Sequence, residues 1–513
     1  MSKRKHAIEA YFQSGLRLHG AGRLAEAEQV YRQVLAASPG HADSLHMLGV
    51  LATQCGQPQA ALNCIDQAIA IKPSAAVFHV NRAAALLALR QFDAALAACG
   101  QALTLKRNCA EAHQVMGHVL SDLGQPDAAV AAYQQAKRHR PDLRDIDNDL
   151  GLALRQASRL EDAATALRQA VKRTPGDTTA QGNLAWVLKE LAQLDAAEEC
   201  YRSALQHHPE DAVLHHNLGV ALLLAGKFDP GWAEYEWRFR SGGAHIPTCA
   251  QPRWNGEDLA GRTLLIRAEQ GMGDTIQFCR YVPIAAQRGK IVLEVQPGLR
   301  CLISGALDGV PIVTVGETLP PFDVWCPLLS LPLLLGMQAP APPYLKADAD
   351  RVAEWRTRIG THGRRIGIAW QGNPASAAER GRSVPVREFL PLAQVPGVRL
   401  ISLQKYHGVD QLASLPDGLR IETLGEDFDA GPEAFLDAAA VMHCMDLIVT
   451  SDTSVAHLAG ALARPVWLAL QHVPDWRWLL QGETCAWYPT MRLFRQPRRG
   501  DWAGVFARIA ACL

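Results

Sequence analysis

The sequence predicts two architectures in series: an α-helical solenoid up to about residue 240, then an α/β region made of two parallel-sheet halves. Three observations carry this. Pro39, Pro73, Pro141, Pro175 and Pro209 recur at intervals of 34 residues or twice that. From Thr263 onward, short apolar runs alternate with stretches of helical length, the pattern of strand–helix units feeding a parallel sheet. Pro340-Ala341-Pro342-Pro343 breaks that alternation in the middle.

Within residues 1–240, Gly15, Gly49, Gly117, Gly151 and Gly219 keep the same interval, as do Ala27, Ala61, Ala95, Ala129, Ala163 and Ala197. A period of 34 residues with Gly early, Ala later and Pro at the end is the tetratricopeptide signature. Small residues let the two helices of a unit approach, and Pro stops the second. Seven units start near Ile8, Ala42, Ala76, Ala110, Arg144, Thr178 and Ala212. Arg107 stands where the third unit would have Pro, and the seventh drifts into Phe228-Asp229-Pro230-Gly231-Trp232, a cap and junction. Tyr31, Tyr133, Tyr201 and Tyr235 share one register position and are expected in the inter-helix core. The concave groove of such a solenoid suits a peptide or partner protein. Asn81, Asn183 and Asn217 share another position, with Asp149 in the fifth unit. The row resembles in part the asparagine ladder of O-linked N-acetylglucosamine transferase, although Asn is common there in the repeat and Met47 and Val115 interrupt it. His207, His208, His215 and His216 have no acidic or Cys partner at ligand spacing and read as surface or packing residues.

Residues 241–255 form a linker with Gly242-Gly243 and two prolines, flanked by Trp232, Tyr235, Trp237, Phe239 and Trp254. The first α/β half spans 256–345. Thr263 to Arg267 is its first strand, running through Gly271-Met272-Gly273-Asp274 into a helix over 275–287. Strands follow at 290–295, 311–315 and 322–326. The second half, 346–513, opens with a helix over 349–359 and a strand at 365–370. A polar loop with Gly372, Asn373, Arg380 and Arg382 comes next. Strands at 398–403, ending in Gln404, and at 419–424 precede a helix over 435–442. The apolar run Leu447-Ile448-Val449 then leads into Asp452-Thr453-Ser454, and a short helix starts near Thr453 or Ser454. A strand feeding a helix whose start carries hydroxyls is a phosphate site in waiting. Val466 to Leu470 is another strand, and a helix over 501–511 ends the chain.

Asp452-Thr453-Ser454-Val455-Ala456-His457 is similar to the Asp-Thr-Gly-x-x-His signature of glycosyltransferase family 9, the heptosyltransferase-like enzymes, with Ser454 where the family has Gly. Gly271-Met272-Gly273-Asp274 resembles the family's Gly-Asp pair at the end of the first strand. The resemblance implies a GT-B fold of two Rossmann-like halves, whose final helix crosses back to the first half. It implies Asp274 as general base, Gly271, Met272 and Gly273 on the acceptor side, and Asp452 to His457 around the diphosphate of a nucleotide-sugar. Gly372, Asn373, Arg380, Arg382 and Gln404 would complete the donor side. The family works without a metal or a cofactor, the nucleoside-diphosphate sugar being a substrate.

Composition removes other classes. The 513 residues carry 51 basic and 51 acidic side chains, which gives no general case for nucleic acid. Twelve scattered cysteines without a Cys-x-x-Cys pair favour a reducing, cytoplasmic setting. No run is long enough to span a membrane, which leaves peripheral contact with the inner membrane open. The reading is a glycosyltransferase moving a sugar to an acceptor hydroxyl with inversion, its repeats recruiting an acceptor or partner protein. The alternative is a repeat scaffold whose second half does not catalyse.

Overall fold

The structure, a computed structural model, describes residues 2–244, 249–375, 379 and 381–513. Packing divides the chain into two compact units, Met1–Leu191 and Ala192–Leu513. No helix among the described residues is long and apolar enough to cross a membrane.

The first unit is a tetratricopeptide solenoid of paired helices beginning at Ser2, Leu24, Ala42, Pro58, Ala76, Phe92, Ala110, Pro126, Ile146, Leu160 and Thr178. The first helix of the fifth repeat begins at Ile146 and not at Arg144, because Asp145 adopts φ +61° ahead of it. Side-chain size explains the period. A Cβ on Gly15 would lie 2.7 Å from the Tyr31 ring, and one on Gly117 2.5 Å from the Tyr133 ring. Gly49 and Gly151 face Ile65 and Leu167 in the same way, at 2.5 Å each. Ala27, Ala61, Ala95, Ala129 and Ala163 are all fully buried. Neighbouring repeats are tied by polar pairs 35 residues apart: His46 with Asn81, Gln114 with Asp149, Asn148 with Asn183.

The second unit begins with helices Leu194–His207, Ala212–Leu224 and Phe228–Tyr235 and the 3-10 turn Glu236–Phe239. Two parallel sheets follow. The first holds β1 (Thr263–Arg267), β2 (Lys290–Val295), β3 (Ile312–Thr314) and β4 (Val324–Pro327), in the order β3-β2-β1-β4. The second holds β5 (Arg364–Ala369), β6 (Val398–Ser402), β7 (Ile421–Glu422), β8 (Leu447–Ser451), β9 (Val466–Leu470) and β10 (Met491–Arg495), in the order β10-β9-β8-β5-β6-β7. Every pairing between these strands is parallel. Strand order reverses between β1 and β4 and between β5 and β8, and at such points the loops leave a crevice at the carboxyl ends of the strands. The architecture is consistent with a GT-B fold.

Two expectations change. The helix placed at 275–287 begins at Met272 and is cut short at Phe278, where a 3-10 turn, Cys279–Tyr281, interrupts it before Val282–Ala286. The early start comes from Asp274, whose carboxylate accepts the Gly271 N–H and caps the helix. The final helix, Trp502–Ala511, does not cross back to the first half. Val505, Phe506 and Ile509 are buried with Phe389, Leu392 and Phe494 of the second half, and the Phe389 and Phe506 rings lie 4.5 Å apart. Its apolar face is therefore already used on its own sheet.

The helices that open the unit share a core with the first sheet. Leu223, Leu224, Trp232 and Tyr235 belong to one buried cluster with Ile266, Phe278 and Leu293. Of the linker, residues 245–248 lie outside the described residues, while Trp254 is fully buried.

Candidate active site

Two strand–helix turns, one from each sheet, carry the polar groups of this site. After β1 the chain passes Gly271 into the helix Met272–Phe278, with Gly271 and Met272 exposed. The Asp274 carboxylate accepts the Gly271 N–H at 2.9 Å through one oxygen and the Arg477 guanidinium through the other. Burial pushes the Asp274 pKa up, Arg477 beside it pulls it down, and Asp475 pushes it up again. Arg477 is buried and also donates to Gln277, at 2.7 Å, and to Asp475, at 2.8 Å. Its position is thus set on three sides.

After β8, Ser451, Asp452 and Thr453 are buried, and Thr453 occupies the N-cap of Ser454–Ala461 without bonding its helix through the side chain. The Ser451 and Thr453 hydroxyls have no hydrogen-bond partner among the described residues. Buried hydroxyls without partners are costly, and a bound ligand would relieve them. Asp452 is pushed up to about 6, chiefly by burial and then by Asp475, against the pull of Arg382. His457, four residues into the turn, is buried and held well below its usual range, first by burial and then by the cations Arg477, Arg382 and Arg280. Its imidazole is therefore neutral. Nδ1 meets the Tyr488 hydroxyl at 3.0 Å and the ring stacks on Trp478, with centroids 5.3 Å apart.

Gly273 is where the two turns meet. A Cβ there would fall 3.0 Å from His457 Cδ2 and 3.4 Å from Ser454 Cα. Only a residue without a side chain lets both helix starts come this close. Gly271, Met272, Gly273 and Asp274 are thereby brought together with Asp452, Thr453, Ser454, Val455, Ala456 and His457. These are the residues singled out from two motifs some 180 positions apart.

The loop after β5 joins them through Arg382, which Glu379 holds at 3.1 Å and whose charge is felt at Asp274, Asp452 and His457. The Gly372 N–H points at the same Glu379, at 3.4 Å. Asn373 closes a local turn by accepting the Ala375 N–H at 3.0 Å. Arg380 lies outside the described residues. The Gln404 amide is fully engaged with backbone: its oxygen accepts from Trp370 and Gln371, and its nitrogen donates to the carbonyls of Gln371 and His407. It fixes the ends of β5 and β6 and has no donor left for a ligand.

Asn81 and Asn183 belong to the first unit, where each bonds its neighbouring repeat, at 2.6 Å to His46 and 2.9 Å to Asn148. Asn217 lies half-buried in Ala212–Leu224. Arg477 is the main residue that sequence reasoning missed. Its only local signal is a cation between Trp476 and Trp478 beside Asp475, and its partner Asp274 is 203 residues away.

Comparison with known proteins agrees with both parts of the chain. The family described as tetratricopeptide repeat matches residues 18–81, 115–178 and 154–215. The family described as glycosyltransferase family 9 (heptosyltransferase) matches residues 394–470, a stretch that contains Gln404 and the 452–457 turn and excludes Asp274 and Arg382. The chain therefore carries tetratricopeptide repeats and, towards its C-terminus, a glycosyltransferase family 9 domain. Protein FlbA of Caulobacter vibrioides is 27% identical over 322 residues, covering 57% of this chain and 53% of that protein. The chain thus spans about half the length of the curated relative it matches. Among solved structures, pilF of Pseudomonas aeruginosa aligns at 18% identity with a TM-score of 0.37, over 41% of this chain and 95% of that one. A thermophilic TPR protein of Thermus thermophilus aligns at 23% identity with a TM-score of 0.33, over 35% of this chain and 98% of that one.

Proposed function

We propose that the second unit transfers a glycosyl group, with inversion, from a nucleoside-diphosphate sugar to an acceptor hydroxyl, and that the repeats recruit the acceptor or a partner protein. The observation that carries this is the meeting, at Gly273, of the Asp274 turn with the open start of Ser454–Ala461. Asp274 takes the acceptor proton as the acceptor oxygen bonds to the anomeric carbon. The bond from that carbon to the phosphate oxygen breaks on the opposite face. Burial makes the carboxylate a better base, and Arg477 keeps it ionised and aimed. The developing charge on the diphosphate is met by the positive end of the helix, by the free hydroxyls of Thr453 and Ser451, and by Arg382. Neutral His457, packed under the turn, fixes its shape. A cytoplasmic setting belongs to the same proposal and rests on the scattered cysteines of the sequence.

The test is a thermal-shift panel of UDP-, GDP-, ADP-, CMP- and dTDP-sugars on the full chain. A ligand held only by the native state at a hundred times its Kd stabilises it by about 2.7 kcal/mol. One donor is expected to raise the melting temperature, Thr453→Val to weaken that rise, and Asp274→Asn to keep the rise while lowering transfer about a hundred-fold or more. A folded chain that answers to no donor, together with cellular function preserved in Asp274→Asn, would instead make the second unit a scaffold.

A further inference from the structure

The last repeat reaches into the turn that carries Asp274. Arg238, in the turn Glu236–Phe239, is fully buried, and its guanidinium bonds both oxygens of Glu269, at 2.8 and 2.9 Å. The Glu269 side chain is itself fully buried and also accepts the Leu329 N–H at 2.9 Å. The next residue, Gln270, donates its side-chain amide to the Tyr235 hydroxyl at 3.0 Å, while its carbonyl accepts from Gln296 at 2.9 Å. Across the site, the rings of Trp232 and Tyr235 pack on Trp476, with centroids 5.2 and 6.1 Å apart. The Arg477 guanidinium lies 4.1 Å over that same Trp476 ring. The last repeat therefore grips the chain just ahead of Asp274 and just ahead of Arg477.

From these contacts we propose that Tyr235 and Arg238 are positioning residues that set the geometry of the Asp274–Arg477 pair, so that the last repeat is part of the transfer machinery as well as of the solenoid. Gly271-Met272-Gly273 has little side chain to pack and is exposed at Gly271 and Met272. Besides the Asp274 cap on the Gly271 N–H, it is anchored on its upstream side by Glu269 and Gln270. A bidentate guanidinium–carboxylate pair fixes direction as well as distance, and a base displaced by an ångström loses much of its effect. The meaning for rate rests on Asp274 being the base; the positioning itself does not.

The experiment compares hydrogen exchange of the backbone amides in 269–275 between the full chain, Tyr235→Phe, and Tyr31→Phe, which removes a hydroxyl at the same register position of the first repeat. Tyr235→Phe is expected to speed exchange in 269–275 about ten-fold, and Tyr31→Phe to leave that segment unchanged. In protein labelled with carboxyl-13C aspartate, with Asp274→Asn for assignment, Tyr235→Phe is also expected to raise the pH at which Asp274 titrates by about half a unit, as the turn released from Gln270 carries the carboxylate off Arg477. Should Tyr235→Phe lose its cooperative melt, Gln270→Leu removes the same bond from the other side and is read in the same way. Unchanged exchange and an unmoved titration in a folded variant would overturn the proposal. Neither readout uses a sugar donor, so a failure of the glycosyl-transfer reading is detected separately, by the donor panel.

Discussion

Asp452 stands immediately before the cap of Ser454–Ala461, buried and with its pKa pushed up to about 6. Its native state binds a proton more tightly than the unfolded chain, whose carboxyl titrates near the ordinary value of 3.8. The stability it contributes is therefore present at low pH and is lost as pH rises from about 4 through 6. Asp452→Asn should accordingly be more stable than the native chain at pH 8, by up to about 3 kcal/mol, and match it near pH 4. In the proposed reaction the same charge would oppose a diphosphate at the helix start. A nucleotide-sugar should stabilise the native chain more at pH 5.5 than at pH 8, and Asp452→Asn should remove the difference. Melting curves at these pH values, with and without donor, read both effects. At this scale the 452–457 turn was legible because its residues are contiguous. Arg477 was not, because the burial that makes it a partner of Asp274 exists only after folding.

Among the elements, the repeat helices show how one atom decides packing. Gly100 lies within Phe92–Leu105, and a Cβ there meets nothing within 4 Å. Gly117 lies within Ala110–Asp122, and a Cβ there lands on the Tyr133 ring. Gly100→Ala should stabilise the first unit by about 0.5–1 kcal/mol through helix propensity alone. Gly117→Ala gains the same propensity but should still destabilise by about 1–3 kcal/mol through overpacking. Urea midpoints of the two variants should move in opposite directions. The sequence distinguishes the two glycines, since Gly117 is on the 34-residue period and Gly100 is off it. It could not give the lateral bonds at an offset of 35, because they depend on how one repeat is stacked on the next.

For the molecule as a whole, the division by packing at 191/192 places the last helices of the repeat region with the α/β sheets. A chain beginning at Ala192 should therefore melt cooperatively. A chain beginning at residue 241 loses Trp232, Tyr235 and Arg238 and leaves the buried Glu269 carboxylate without its cation. Breaking a buried ion pair from one side costs about 3–5 kcal/mol, and the exposed Phe278 and Trp476 rings add to that. The shorter chain should be unstable or aggregate, as circular dichroism melts and size-exclusion profiles would report.

The sequence alone determined the repeat period, the alternation of strands and helices, and the two turns at 271–274 and 452–457. Each is a local consequence of residue size, polarity and backbone preference, and each is written in neighbouring residues. Only the tertiary structure decided that Gly273 lets those turns meet, that Arg477 closes on Asp274, that Gln404 is spent on backbone, and that the final helix stays on its own sheet. Those outcomes depend on which surfaces are buried against each other. Burial sets the worth of a charge, a hydroxyl or an apolar face through partners that lie hundreds of residues away.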